Sequence, residues 1–244
     1  MIKPSVIGFY FFSTRTKIAI LTLAVIIFIV SSMIYVEAYN KLKPIYDLPA
    51  KDKVVALTFD ISWGNQTPMP VIEILKQNNV RSTFFLSGPW CKQYPDIPKR
   101  IKQDGHEIAS HGYRHINLST LSRMEIKEEI MKAHDSIKEV TGIDPILIRT
   151  PNGDYSDEVI KAADECRYKV IQWSVDSLDW MNPGVGTISE RVIKRVQPGS
   201  IILMHASDTC KQTTEALPTI LKELKNQGYE FVTVSELMKR AEKK

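Results

Sequence analysis

The chain has 244 residues, 43% of them hydrophobic and 25% charged. That is an ordinary globular composition, and it excludes a disordered or low-complexity protein. Five of the 32 bases and one of the 28 acids lie in residues 1–44, so 27 of each remain and the rest of the chain is neutral, which argues against nucleic acid as a partner.

In chain order, the first element is residues 18–36, "IAILTLAVIIFIVSSMIYV", which contain no charge. As a helix they span about 28 Å, close to the hydrocarbon thickness of a bilayer. Lys3, Arg15 and Lys17 precede the run and favour a cytoplasmic N-terminus, with the following domain on the far side of the membrane. A retained single-pass anchor is preferred to a cleaved secretory signal, for which "VEA" at 36–38 is a poor site. Residues 40–51, "NKLKPIYDLPAK", read as a short polar tether. The expected organisation is an anchor with tether over 1–44 and a folded domain over 45–244.

Seven strand candidates follow: 54–59, 82–86, 107–110, 146–149, 169–174, 200–204 and 230–234. Helical patterns lie between them. The longest, "SRMEIKEEIMKAHDSIKEVTG", has Ser122 as N-cap, Glu125 three residues on and Gly142 at its end. Strands alternating with helices predict parallel β/α units, hence an incomplete barrel or an open sheet. In either, active residues gather at the C-terminal ends of strands. Asp60, His111 with His115, Arg149, Asp176 with Asp179, and His205 all sit just past a predicted strand.

His111 and His115, three residues apart between them, can share a metal on a helix or tight turn, or serve only as hydrogen-bonded polar residues. His205 ends an apolar run and fits a general acid, or a core-edge histidine. A carboxylate from "DSLDW" would orient its ring and favour the protonated form. Arg149 precedes a Pro-Asn-Gly turn, whose N–H groups can form an oxyanion hole or simply a turn. His106 and His134 read as structural. Cys91, Cys166 and Cys210 show no CxxC spacing, and their odd number leaves either three thiols or one bridge and a thiol.

Taken in order, T-F-D, H-x-x-x-H, R-x-P-x-G, D-S-x-D-W and L-x-H resemble the polysaccharide deacetylase family, which shares the NodB homology domain. The resemblance covers about Val54 to Val234. "TFDISWGN" with the membrane-linked N-terminus is similar to the sporulation-associated deacetylases of Gram-positive spore formers. The resemblance implies a distorted (β/α) barrel of about seven parallel strands. It also implies metal-assisted removal of N-acetyl groups from an amino-sugar glycan such as peptidoglycan. It makes Asp60 the general base, His111 and His115 ligands of a divalent ion (zinc first, cobalt or another transition metal next), and His205 the general acid. Arg149 would hold Asp60, Asp179 would tune His205, and Trp180 and Leu203 would wall the acetyl pocket. An N–H near Asn152 would meet the oxyanion, and Tyr155 would supply a ring for sugar stacking or simply pack.

One departure stands out. The family carries a second metal-binding Asp directly after the first, and here that position is Ile61. Ser62 or Asn65 could approach the ion as poor ligands. The alternative function is a catalytically weak glycan-binding protein that keeps the fold.

Overall fold

A computed structural model describes residues 13–40 and 42–242. Lys3 and Lys41, both among the N-terminal cations, lie outside the described residues. The chain divides into two units between Leu42 and Lys43. The first contains helix α1 (Thr14–Asn40), of which Thr14–Ser32 is long and apolar enough to cross a membrane.

In the second unit, eight strands alternate with helices. They are β1 (Val54–Ile61), β2 (Thr83–Leu86), β3 (Glu107–Ser110), β4 (Leu147–Ile148), β5 (Lys169–Val170), β6 (Val175–Asp176), β7 (Ile201–His205) and β8 (Glu230–Val232). The helices are α2 (Pro68–Gln77), α3 (Gly88–Gln93), α4 (Asp96–Gln103), α5 (Arg123–Thr141), α6 (Asp157–Glu165), α7 (Val185–Arg195), α8 (Thr213–Asn226) and α9 (Val234–Glu242). Every strand pairing is parallel, in the order β5-β4-β3-β2-β1-β7-β6, with β8 also on β1. This is the expected distorted (β/α) barrel, left open between β5 and β6.

Strand alternation sorts β1 into two faces. Val55, Leu57, Phe59 and Ile61 face an outer apolar layer shared with α2, α4, α7 and α8. Val54 and Ala56 join an inner cluster with Phe85, Ala109 and Ile201. Thr58 and Asp60 continue that inner row toward the strand's C-terminal end. The helix α5 begins with a capping box between Ser122 and Glu125 and ends at Gly142 in the left-handed region, as its sequence predicts.

Three local differences from the sequence expectation have physical causes. The run 169–174 is not one strand, because it changes neighbours: Lys169 and Val170 pair with β4, whereas Ser174 N–H donates to Ile201 O and β6 pairs with β7. Helices α3 and α9 were not anticipated; α3 is a single short turn-and-a-half after β2, and α9 follows β8 with no intervening turn signal. The polar segment read as tether also enters the domain. Ile45 bridges to Ile171, and Asp47 bridges to Ser200, across the seam that the sheet leaves open.

Candidate active site

The parallel register sets Asp60 of β1 directly beside His205 of β7, so both side chains leave the sheet on its inner face at the same level. His111 follows the end of β3 and Arg149 the end of β4. A cleft of about 440 Å³ opens at this end of the strands, and its walls include Asp60, His111, His115, Asn152, Leu203 and His205.

Arg149 is fully buried beneath the cleft. Its Nη1 donates to Asp60 Oδ1 at 2.8 Å and to Thr58 Oγ1 at 2.8 Å, and its Nη2 donates to Gln172 O at 3.0 Å. The guanidinium stacks 4.1 Å from the Phe85 ring. A buried cation held on three acceptors through its two terminal nitrogens is a fixed countercharge. Burial pushes the Asp60 carboxyl up, but Arg149, His111 and His205 outweigh it and hold the group below the usual carboxylate range.

His111 Nδ1 meets the Arg149 carbonyl at 2.8 Å, so it carries the proton and Nε2 keeps its lone pair. That Nε2 lies 3.7 Å from Asp60 Oδ2. Burial lowers the His111 pKa to about 4 and also lowers that of His115, whose ring centroid is 5.3 Å from that of His111. Two neutral imidazoles beside an ionised carboxylate suit a divalent cation. Ser62 Oγ, on the cleft wall, is buried with no hydrogen-bond partner among the described residues and adds a spare oxygen. The donor set therefore fits a metal ion, with fewer strong protein ligands than an Asp-His-His triad. Ile61 is absent from it: its side chain is fully buried in the outer layer, on the opposite face from Asp60. Asn65 does not line the cleft either.

His205 Nδ1 meets Asp179 Oδ1 at 2.7 Å, and Asp179 Oδ2 accepts from His205 N–H and Thr213 Oγ1, both at 2.7 Å. Burial alone would lower the His205 pKa; the hydrogen bond and charge of Asp179 reverse the sign and raise it. Asp176 lines the cleft with its pKa raised by burial, its Oδ1 taken up by Leu178 N–H. Cys210 lies close to Asp179 and His205, but burial pushes its thiol up to about 12.

Of the remaining predicted residues, Trp180, Leu203 and Asn152 line the cleft. Asn152 sits in the left-handed region at φ 59°, and the Gly153 and Asp154 N–H groups are spent on the Thr150 and Pro151 carbonyls within the turn. Tyr155 is not among the residues that line the cleft; it is partly buried and packs against the apolar cluster of α5 and α6, the packing alternative of its reading. His106 and His134 are structural, as read: His106 Nδ1 accepts from Ser82 N–H, and His134 bonds Tyr168 and Asp144. All three cysteines are free thiols. Sequence reasoning missed Trp63, Trp173, Ser207, Thr209 and Cys210 as cleft residues. Each is within five residues of a motif position or strand end, and that proximity was the available signal.

An open parallel barrel with an arginine-clamped aspartate and an aspartate-oriented histidine at its C-terminal rim defines a hydrolase-type β/α site. The family model described as polysaccharide deacetylase matches residues 47–171, and this chain belongs to that family. Among curated relatives, the uncharacterized protein YlxY of Bacillus subtilis is 34% identical over 80% of this chain, and the chain spans only 60% of that protein's length. A peptidoglycan-N-acetylglucosamine deacetylase of Bacillus cereus is 36% identical, covering 80% of this chain and 92% of the relative. Among solved structures, a CE4 family pseudoenzyme from Bacillus anthracis aligns with a TM-score of 0.77 at 37% identity, over 81% of this chain and 69% of that one.

Proposed function

We propose that this chain is a metal-assisted hydrolase that removes N-acetyl groups from an amino-sugar glycan of the peptidoglycan type. The observation that carries the reading is the pairing of Asp60, clamped by Arg149, with His205, clamped by Asp179, side by side over one cleft. One group is held ionised and the other is biased toward its protonated form, the two states a base and an acid need at the start of amide hydrolysis.

Asp60 takes a proton from the attacking water. The carbonyl carbon becomes tetrahedral, and the Asn152 N–H faces the developing oxyanion. His205 then gives its proton to the departing nitrogen, the C–N bond breaks, and acetate and a free amino sugar leave. Trp180 and Leu203 enclose the acetyl methyl. A divalent ion at His111 and His115, zinc before cobalt, would supply carbonyl polarisation and a more acidic water. Helix α1 would anchor the chain, with the domain on the extracytoplasmic side. The likeness to the Bacillus cereus deacetylase supports the substrate class.

Acetate release from chito-oligomers and from peptidoglycan fragments, with and without added Zn²⁺ or Co²⁺, tests the reading. Chelation and Asp60→Asn should each lower the rate by roughly 10²-fold or more. A second reading is favoured by Ile61, which leaves the ion two imidazoles and no second carboxylate, and by the likeness to a pseudoenzyme. Glycan binding without acetate release under any metal would select that catalytically weak binder.

A further inference from the structure

The chain has four tryptophans, and three of them, Trp63, Trp173 and Trp180, line the cleft. Trp173 is packed in, with its Cη2 only 2.9 Å from where a Cβ on Gly153 would lie. Trp180 stands 52% exposed and already walls the acetyl pocket in the reading above. Trp63 stands 44% exposed and has no role in that chemistry.

The loop that carries Trp63 is unusually fixed for one that presents an exposed indole. The Trp63 N–H donates to Thr209 Oγ1 at 3.0 Å, and the ring stands edge-on to His115 with centroids 5.1 Å apart. Gly64 follows at φ +81°, where a Cβ would lie 2.1 Å from the Asp208 carboxyl carbon. Gly64 O accepts from the indole of the fourth tryptophan, the buried Trp90, at 2.6 Å. The Asp208 carboxylate accepts from the N–H groups of Asn65, Gln66 and Thr67 at 3.0, 2.9 and 2.9 Å. The indole's polar edge is thus satisfied inside the protein, and an apolar ring surface is left toward solvent beside the metal-side histidine. A pre-oriented ring loses little freedom on binding. A pyranose offers a matching surface, with C–H groups on a face and hydroxyls around the rim.

We propose that Trp63 is a stacking platform for a sugar next to the one that reacts, so that the preferred ligand is an oligomer of N-acetylated sugars and not a single residue. This rests on the glycan reading of the cleft, and it deepens that reading by making chain length a determinant of recognition.

The test uses the full chain in detergent, treated with chelator so that binding is read without turnover. N-acetylglucosamine and its linear tetramer are titrated calorimetrically against the wild type, Trp63→Ala and Trp63→Phe. The wild type should prefer the tetramer. Trp63→Ala should weaken tetramer binding by about tenfold or more, change monomer binding less than about twofold, and be largely rescued by Trp63→Phe. Unchanged tetramer affinity in Trp63→Ala, an equal loss for monomer and tetramer, or no tetramer binding by the wild type would each overturn the platform. Acetate release with added metal is assayed in parallel. Its absence alongside a Trp63-dependent tetramer preference would overturn the deacetylase reading and uphold the platform.

Discussion

The hydrogen bond from His205 Nδ1 to Asp179 Oδ1 raises the histidine's pKa against the opposing pull of burial. A general acid must be protonated, so the alkaline limb of kcat/KM reports loss of that proton. Asp179→Asn removes the charge that raises the pKa, and the alkaline limb should move to lower pH, with kcat/KM at neutral pH down by roughly 10²-fold. An unmoved limb would mean that another group supplies the proton. Ile61 carries a second residue-scale prediction. It is fully buried in the outer apolar layer, opposite Leu86 in register. In the metal-free protein, Ile61→Asp should cost roughly 3 kcal/mol or more by urea denaturation, because an unpaired carboxylate replaces packed methyl groups. An unchanged midpoint would mean that the strand end turns to bring residue 61 into the cleft. Several polar cleft residues could be read from the sequence, since Asp60, His111 and His205 each close a strand-like run and His115 and Asn152 lie in the turns just beyond such runs. The facing of Ile61 and the packing of Tyr155 could not, because both depend on which neighbours the chain meets around them.

Among elements, the readable ones were long or well punctuated. Helix α5 has nineteen residues, a capping box and a left-handed glycine, so both ends are written locally. β5 and β6 have two residues each and are fixed by partners distant in sequence, so no local pattern marks them. His106 links two elements in the same non-local way: it precedes β3, and its Nδ1 accepts the N–H of Ser82, which precedes β2, at 3.2 Å. Burial pushes its pKa down from 6.5 to about 4. Folding therefore favours the neutral ring. Its stabilisation is present above the unfolded value of 6.5 and is lost as pH falls toward about 4. The shift corresponds to roughly 3 kcal/mol. His106→Asn keeps an acceptor for Ser82 and removes the titration. It should be less stable than wild type at pH 7.5, and the two stabilities should converge by pH 4.5. Stability curves that run parallel across that range would dismiss the role.

At the scale of the whole molecule, the sheet stays open between β5 and β6, and residues 44–48 occupy part of that seam. Ile45 N–H donates to Val170 O at 2.9 Å, Gln172 N–H donates to Ile45 O at 2.7 Å, and Leu48 N–H donates to Gly199 O at 3.0 Å. Ile45 and Leu48 pack on the inner cluster, and a Cβ on Gly199 would lie 1.7 Å from Leu48 O, so the segment is seated closely. The contact continues into the cleft, because the Gln172 whose N–H it pairs also gives its carbonyl to Arg149, and Arg149 holds Asp60. A fragment starting at Lys43 keeps the whole chain of contacts and should fold as the full domain does. One starting at Lys51 loses three backbone hydrogen bonds and the packing of Ile45, Leu48 and Ala50 on the inner cluster, which should cost roughly 3 kcal/mol or more. It should also free Arg149 to shift, so that kcat falls further than the fraction unfolded accounts for. Comparing urea midpoints and acetate release for the two fragments separates the effects. Equal midpoints would show that the seam closes without the segment; a lower midpoint with unchanged kcat for the folded fraction would show that the segment supports the barrel and leaves Asp60 in place.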